Sequence, residues 1–172
     1  MLVQIGAFSL PALLPAYIDQ WHLTSIEAGS LVGIFFAAYV MAVPVLVALT
    51  DRVPARNVYV VGAGLTALSH LGFALVADGF WWGLILRAAA GIGWAGAYMP
   101  GLKVIADTLE GNAQSRAVSA HAAGVGVAGA ISFAVAGLIA GMFGNRAAFM
   151  FGGICALIAI AIALSVMRSS GR

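Results

Sequence analysis

Three side chains could carry ionic chemistry inside the apolar stretches of this sequence: Arg87, His70 and His121. A guanidinium fixed in an apolar stretch can hold a carboxylate or phosphate by paired hydrogen bonds. A histidine there can move a proton or ligate a metal. The two histidines are expected at different depths, His70 nearer the outside and His121 near the cytoplasmic end, so they are not placed to share one iron. Each is expected to be a hydrogen-bonded structural residue. The acids are informative by position: Asp19, Glu27, Asp51, Asp78, Asp107 and Glu110 all fall in connections or at helix ends. No apolar stretch holds a carboxylate that could relay protons. The lone Cys155 excludes an intrachain disulfide and any multi-cysteine metal site. No metal, cofactor or catalytic group is expected, and the chain is not expected to be an enzyme.

The elements that must position these residues follow from composition. Of 172 residues 63% are hydrophobic and 8% charged, too few charges to cover a water-soluble globule. The lipid bilayer is the solvent that suits such a chain. A span with a short connection takes about 25 to 30 residues, so the length holds six helices and no soluble catalytic or nucleic-acid-binding domain. Apolar runs place the spans at about 2–18, 28–49, 57–77, 80–104, 117–140 and 147–167. They are continuously apolar, without the period-two alternation of a membrane barrel. The opening MLVQIGAFSLPALLPAY lacks the basic start of a cleavable signal peptide.

Lysine and arginine set the direction. Arg52, Arg56, Lys103, Arg116, Arg168 and Arg172 fall on one side, against Arg146 alone on the other. Six to one makes the second and fourth connections and both termini cytoplasmic, in a multi-pass protein of the plasma (bacterial inner) membrane. By helical rise Arg87 lies about 10 Å below the outer end of its helix. A lipid-facing guanidinium is costly at that depth, so it is expected to face a polar cavity or partner; snorkelling or backbone bonding is the alternative. Pro11 and Pro15 are expected to bend the first span, Pro44 the second and Pro100 the fourth, and bent spans can expose carbonyls to a cavity. Gly29, Gly33, Gly129, Gly137 and Gly141 mark the second and fifth spans as candidates for tight helix packing.

Three short motifs fall in order on these elements. The second connection reads Leu49-Thr-Asp51-Arg52-Val-Pro-Ala-Arg56, the fourth span Arg87-Ala-Ala-Ala-Gly91-Ile-Gly93-Trp-Ala95, and the sixth opens Gly144-Asn145-Arg146-Ala-Ala-Phe149. Together they resemble the major facilitator superfamily, whose patterns at these places are G-x-L-a-D-R-x-G-R-[RK], R-x-x-q-G-x-g-a-a and G-W-R-x-x-F. Val47 and Pro54 replace two glycines, Ala55 a basic residue, Ala90 a glutamine and Asn145 a tryptophan.

Members normally have twelve spans in two halves, and this chain resembles the N-terminal half only. The resemblance implies an all-α membrane fold of one domain over 1–172, six transmembrane helices as two three-helix inverted repeats. It assigns a substrate cavity mainly to the first and fourth spans, with Gln4, Ser9, Arg87, Trp94 and Tyr98 as candidate lining residues. It also implies a cytoplasmic gate of Asp51, Arg52, Arg56 and Asp107. The function expected is secondary transport of a small solute, an organic anion, by alternating access, in a parallel homodimer or with a second six-helix half. Two alternatives stay open, a scaffold or assembly subunit of a larger membrane complex and an excised half of a twelve-span transporter.

Overall fold

The computed structural model describes residues 2–169, without the side chains of 104, 106–108 and 166–169. A 3-10 turn, Leu2–Gln4, precedes six helices: α1 Ser9–Trp21, α2 Ser25–Leu49, α3 Ala55–Leu75, α4 Phe80–Thr108, α5 Gly111–Phe143 and α6 Asn145–Ser169. Among the described residues there is no strand. Each apolar run anticipated a helix, but the helices begin earlier or run further than the runs suggest. Polar first turns extend them: Thr24 and Glu27 form a reciprocal capping box that starts α2 at Ser25. The 33 residues of α5 span about 50 Å, well beyond a bilayer's hydrocarbon core. Among the described residues, five segments are long and apolar enough to cross a membrane: Leu2–Trp21, α2, α3, α5 and Asn145–Ser165. The span at 80–104 is long enough but less apolar, because Arg87, Trp81, Trp82 and several glycines lie in it.

The first span differs from expectation, being broken rather than bent. Residues 5–8 run in turns between the 3-10 segment and α1, and only Pro15 lies in the helix interior. Pro11 sits in the first turn of α1, where a missing N–H costs nothing. Its ring nitrogen is also the group that would have donated to the carbonyl of Ala7 in a continuous helix. That carbonyl is left free for another donor.

Helix α4 is the hub, packing most extensively against α3 and α2, while α3 also packs along α6. Close approach depends on glycines of α4 and α3. A Cβ on Gly62 would lie 2.5 Å from the carbonyl carbon of Gly96, and one on Gly93 2.7 Å from the amide nitrogen of Thr66. A Cβ on Gly91 would fall on the carbonyl of Phe35 in α2. At the end where α1 finishes and α6 begins, Tyr17, Phe73 and Phe149 form a buried aromatic cluster. There Phe73 and Phe149 stack at 4.1 Å and Tyr17 meets Phe73 edge-on at 5.4 Å.

The glycines singled out in α2 and α5 lie elsewhere. Gly29, Gly33, Gly137 and Gly141 have open space where a Cβ would stand, and Gly129 meets the Phe8 ring at 3.1 Å. Helices α2 and α5 bury 11% and 17% of their apolar windows, against 39–50% for the other spanning segments. Phe36, Val40, Met41 and Val45 on α2 and Val127, Ile131, Phe133 and Leu138 on α5 are exposed.

Candidate functional site

Arg87, Trp94 and Tyr98 lie seven and four residues apart, so helical periodicity places them on one face of α4. Across from that face stand Phe35 and Tyr39, one turn apart on α2, and His121 on α5. The Arg87 guanidinium carbon sits 4.4 Å above the Phe35 ring. Trp94 packs 5.5 Å from Phe35 and 4.7 Å from Tyr39. Tyr98 lies 6.1 Å from Trp94 and stacks on His121 at 4.8 Å. An aromatic ladder therefore descends from the arginine towards the end of α4 that carries Lys103. Arg87 is 1% exposed and Trp94 is buried, whereas Tyr98 and His121 are half-buried.

Burial leaves Arg87 with little compensation. Its Nη2 donates to the carbonyl of Ala7 at 3.2 Å, the carbonyl that Pro11 releases. The backbone bond set against the cavity in the sequence reading is thus present for one nitrogen. Nε and Nη1 are buried with no hydrogen-bond partner, and so is Nε1 of Trp94. No carboxylate pairs with Arg87 among the described residues. A buried cation of this kind is the group most in need of an anion.

Other polar groups surround the broken segment. Gln4 and Ser9, the candidates from the first span, are both buried. Phe8 N–H donates to Ser132 Oγ at 3.1 Å, tying the break to α5. His70 is buried, and its Nδ1 lies 2.8 Å from the carbonyl of Thr66. Since a carbonyl only accepts, the ring proton there is on Nδ1. Nε2 lies against Gly6, whose missing side chain makes room for the ring. Thr66 and Ser69 donate in turn to the carbonyls of Gly62 and Leu65, four residues back along α3.

Of the motif in the α2–α3 connection, Asp51 accepts from Lys103 of α4 at 3.3 Å. Arg52 is exposed and Arg56 half-buried, and the side chain of Asp107 lies outside the described residues. Sequence reasoning passed over Phe35, Tyr39, Thr66 and Ser132. The i, i+4 pairs Phe35/Tyr39 and Thr66/His70 are visible signals, but which helix each pair faces is not.

A search of curated proteins finds no match to the chain. The family model described as Major Facilitator Superfamily matches residues 1–171. The six-helix bundle, the membrane-crossing segments and the three motifs all agree with that match, and the chain belongs to the major facilitator superfamily, a family of membrane transporters.

Proposed function

We propose that the chain is half of a secondary transporter that moves a small organic anion by alternating access. It works as a parallel homodimer or with a second six-helix half. The observation that carries this reading is Arg87, a buried cation with two unpaired nitrogens and no carboxylate partner among the described residues, at the buried end of the ladder through Trp94 and Tyr98. In a low-dielectric surround such a group favours an anion over a cation, and its planar fork suits a carboxylate. Displacement of Phe35 and of the turn at Ala7 would present the guanidinium to a substrate. The break in the first span gives that turn freedom to move.

The half-transporter reading rests on the poorly buried, apolar faces of α2 and α5, which ask for lipid or a second bundle. Gly29, Gly33, Gly137 and Gly141 are the open positions through which a second bundle could approach closely. The two three-helix repeats are inverted relative to each other. The Asp51–Lys103 pair, with Arg52, Arg56 and Asp107, forms the cytoplasmic gate, and both termini lie on that side.

Orientation is checked by cysteine labelling after Cys155→Ser. Pro54→Cys is expected to react only with reagents admitted to the cytoplasmic side, and Asp78→Cys from the opposite side. The reverse pattern would overturn the assignment. Transport itself is tested in liposomes by counterflow of small mono- and dicarboxylates against organic cations of matched size. Carboxylate flux without cation flux is expected. Cation flux, or no flux of any carboxylate while the protein remains folded, would sink the anion reading.

A further inference from the structure

At the end of the bundle opposite the Asp51–Lys103 pair, the last turns of α1 and α3 and the α5–α6 corner frame an open cup of about 270 Å³, with Gln20 and Arg146 exposed at its mouth. Tyr17, Gln20, Asn145 and Arg146 line it with polar groups, and Phe73 and Phe143 give it aromatic walls. We propose that this cup binds a phosphate group, a function separate from the transport reading and independent of Arg87.

Four features carry the proposal. Arg146 brings the sole charge among the lining residues, and neither Asp19 nor Asp78 lines the cup although each adjoins a residue that does. Asn145 and Arg146 open α6, so their amides lack intrahelical acceptors and add the positive end of a 25-residue helix. Gly144, at φ 86°, makes the one-residue corner that aims this helix start at α1. Tyr17 is the independent sign of a ligand. It is 3% exposed, set edge-on against the stacked Phe73 and Phe149, and its hydroxyl makes no hydrogen bond among the described residues. The ring is buried while the residue lines the cup, so the hydroxyl is left accessible there and uncommitted to any protein group, free to bond what occupies the cup.

Guanidinium, helix amides, hydroxyl and the carboxamides of Gln20 and Asn145 together offer hydrogen-bond donors around one volume. That set suits a tetrahedral oxyanion better than a planar or cationic group. The volume falls just below the range of drug-sized pockets, so it admits a headgroup or a small phosphorylated solute. Phosphate is the shared chemistry, and a free anion and a lipid headgroup are its two sources.

The test uses the full chain purified in an uncharged detergent, with two arms. Thermal unfolding is followed by tryptophan fluorescence during titration with inorganic phosphate against chloride of equal ionic strength. Lipid retention is read by native mass spectrometry with phosphatidylglycerol against an uncharged galactolipid of the same chains. Wild type is expected to be stabilised in the first arm, to retain phosphatidylglycerol selectively in the second, or both. Response to phosphate alone assigns the cup to a solute, and selective lipid retention alone assigns it to a headgroup. Arg146→Gln is expected to weaken the response about tenfold or more, the size of a lost charge-assisted bond. Arg146→Lys should restore part of it. Tyr17→Phe keeps the ring packing and removes only the hydroxyl, and should weaken the response severalfold. Wild type that responds in neither arm overturns the proposal. So does Tyr17→Phe binding as wild type does while folded Arg146→Gln also matches it.

Discussion

Gly91→Leu is expected to cost the bundle about 3 kcal/mol or more, the upper end of overpacking penalties, while Gly33→Leu leaves its melting temperature nearly unchanged. Both are glycines within apolar helices, and both changes raise helix propensity by about 1 kcal/mol per site. The difference is what the new Cβ meets. At Gly91 it falls on the Phe35 carbonyl, a backbone atom that cannot turn aside, so α2 and α4 must separate along their shared length. Separation also loosens Phe35 from Arg87 and Trp94, since those contacts bridge the same two helices. The propensity gain is too small to offset that loss of packing, which is what holds helices together where no water is present. At Gly33 nothing lies within 4 Å, so the larger side chain extends into open space. If the proposed homodimer forms through α2 and α5, Gly33→Leu separates it without unfolding either copy. Fluorescence melts and chemical cross-linking read the two effects apart. Gly129→Leu would not separate them, because Phe8 already packs there. A Gly91→Leu protein that melts with wild type would show that the α2–α4 contact is not the tight one described.

The contrast between these two glycines also marks what the sequence could tell. Apolar run length located six helices, because a bilayer imposes length and apolarity on every span. The prolines of the first span marked it as a place where backbone carbonyls can be exposed. Which donor would take such a carbonyl was not legible: Ala7 and Arg87 are 80 residues apart, and only the fold, which lays the turn before α1 beside α4, joins them. The same holds for His70, whose ring fits because Gly6 has no side chain. Small-residue spacing singled out α2 and α5, whereas the closest approaches within the chain use glycines of α3 and α4. It carried no information on which face meets a neighbour within the chain. The cup around Arg146 was equally hidden, since its lining comes from four helices and nothing local in the sequence pairs Tyr17 with Arg146.

Arg87→Met is expected to abolish anion flux and yet leave the protein as stable as wild type or more stable. Two sets of terms oppose each other. The guanidinium gains one charged hydrogen bond to Ala7, about 1.5–3 kcal/mol, and a stack on Phe35 of about 2 kcal/mol. Against this stand the desolvation of a full charge, several kcal/mol, and two buried nitrogens without acceptors at about 1–3 kcal/mol each. Methionine keeps most of the volume, removes the charge and both unpaired nitrogens, and leaves only the Ala7 carbonyl without a donor. The balance favours methionine by about 0–3 kcal/mol. Arg87→Ala differs in leaving a void beside Phe35, so it should melt below wild type while also losing flux. Arg87→Lys keeps the charge but not the planar fork, and should recover little transport. The three variants separate a structural arginine from a working one. If methionine destabilises the bundle as much as alanine does, Arg87 is held for packing. Undiminished carboxylate flux in folded Arg87→Met would remove it from the transport path. A protein that gains stability and loses flux would identify Arg87 as a charge kept buried, at a cost to the fold, for the anion it binds.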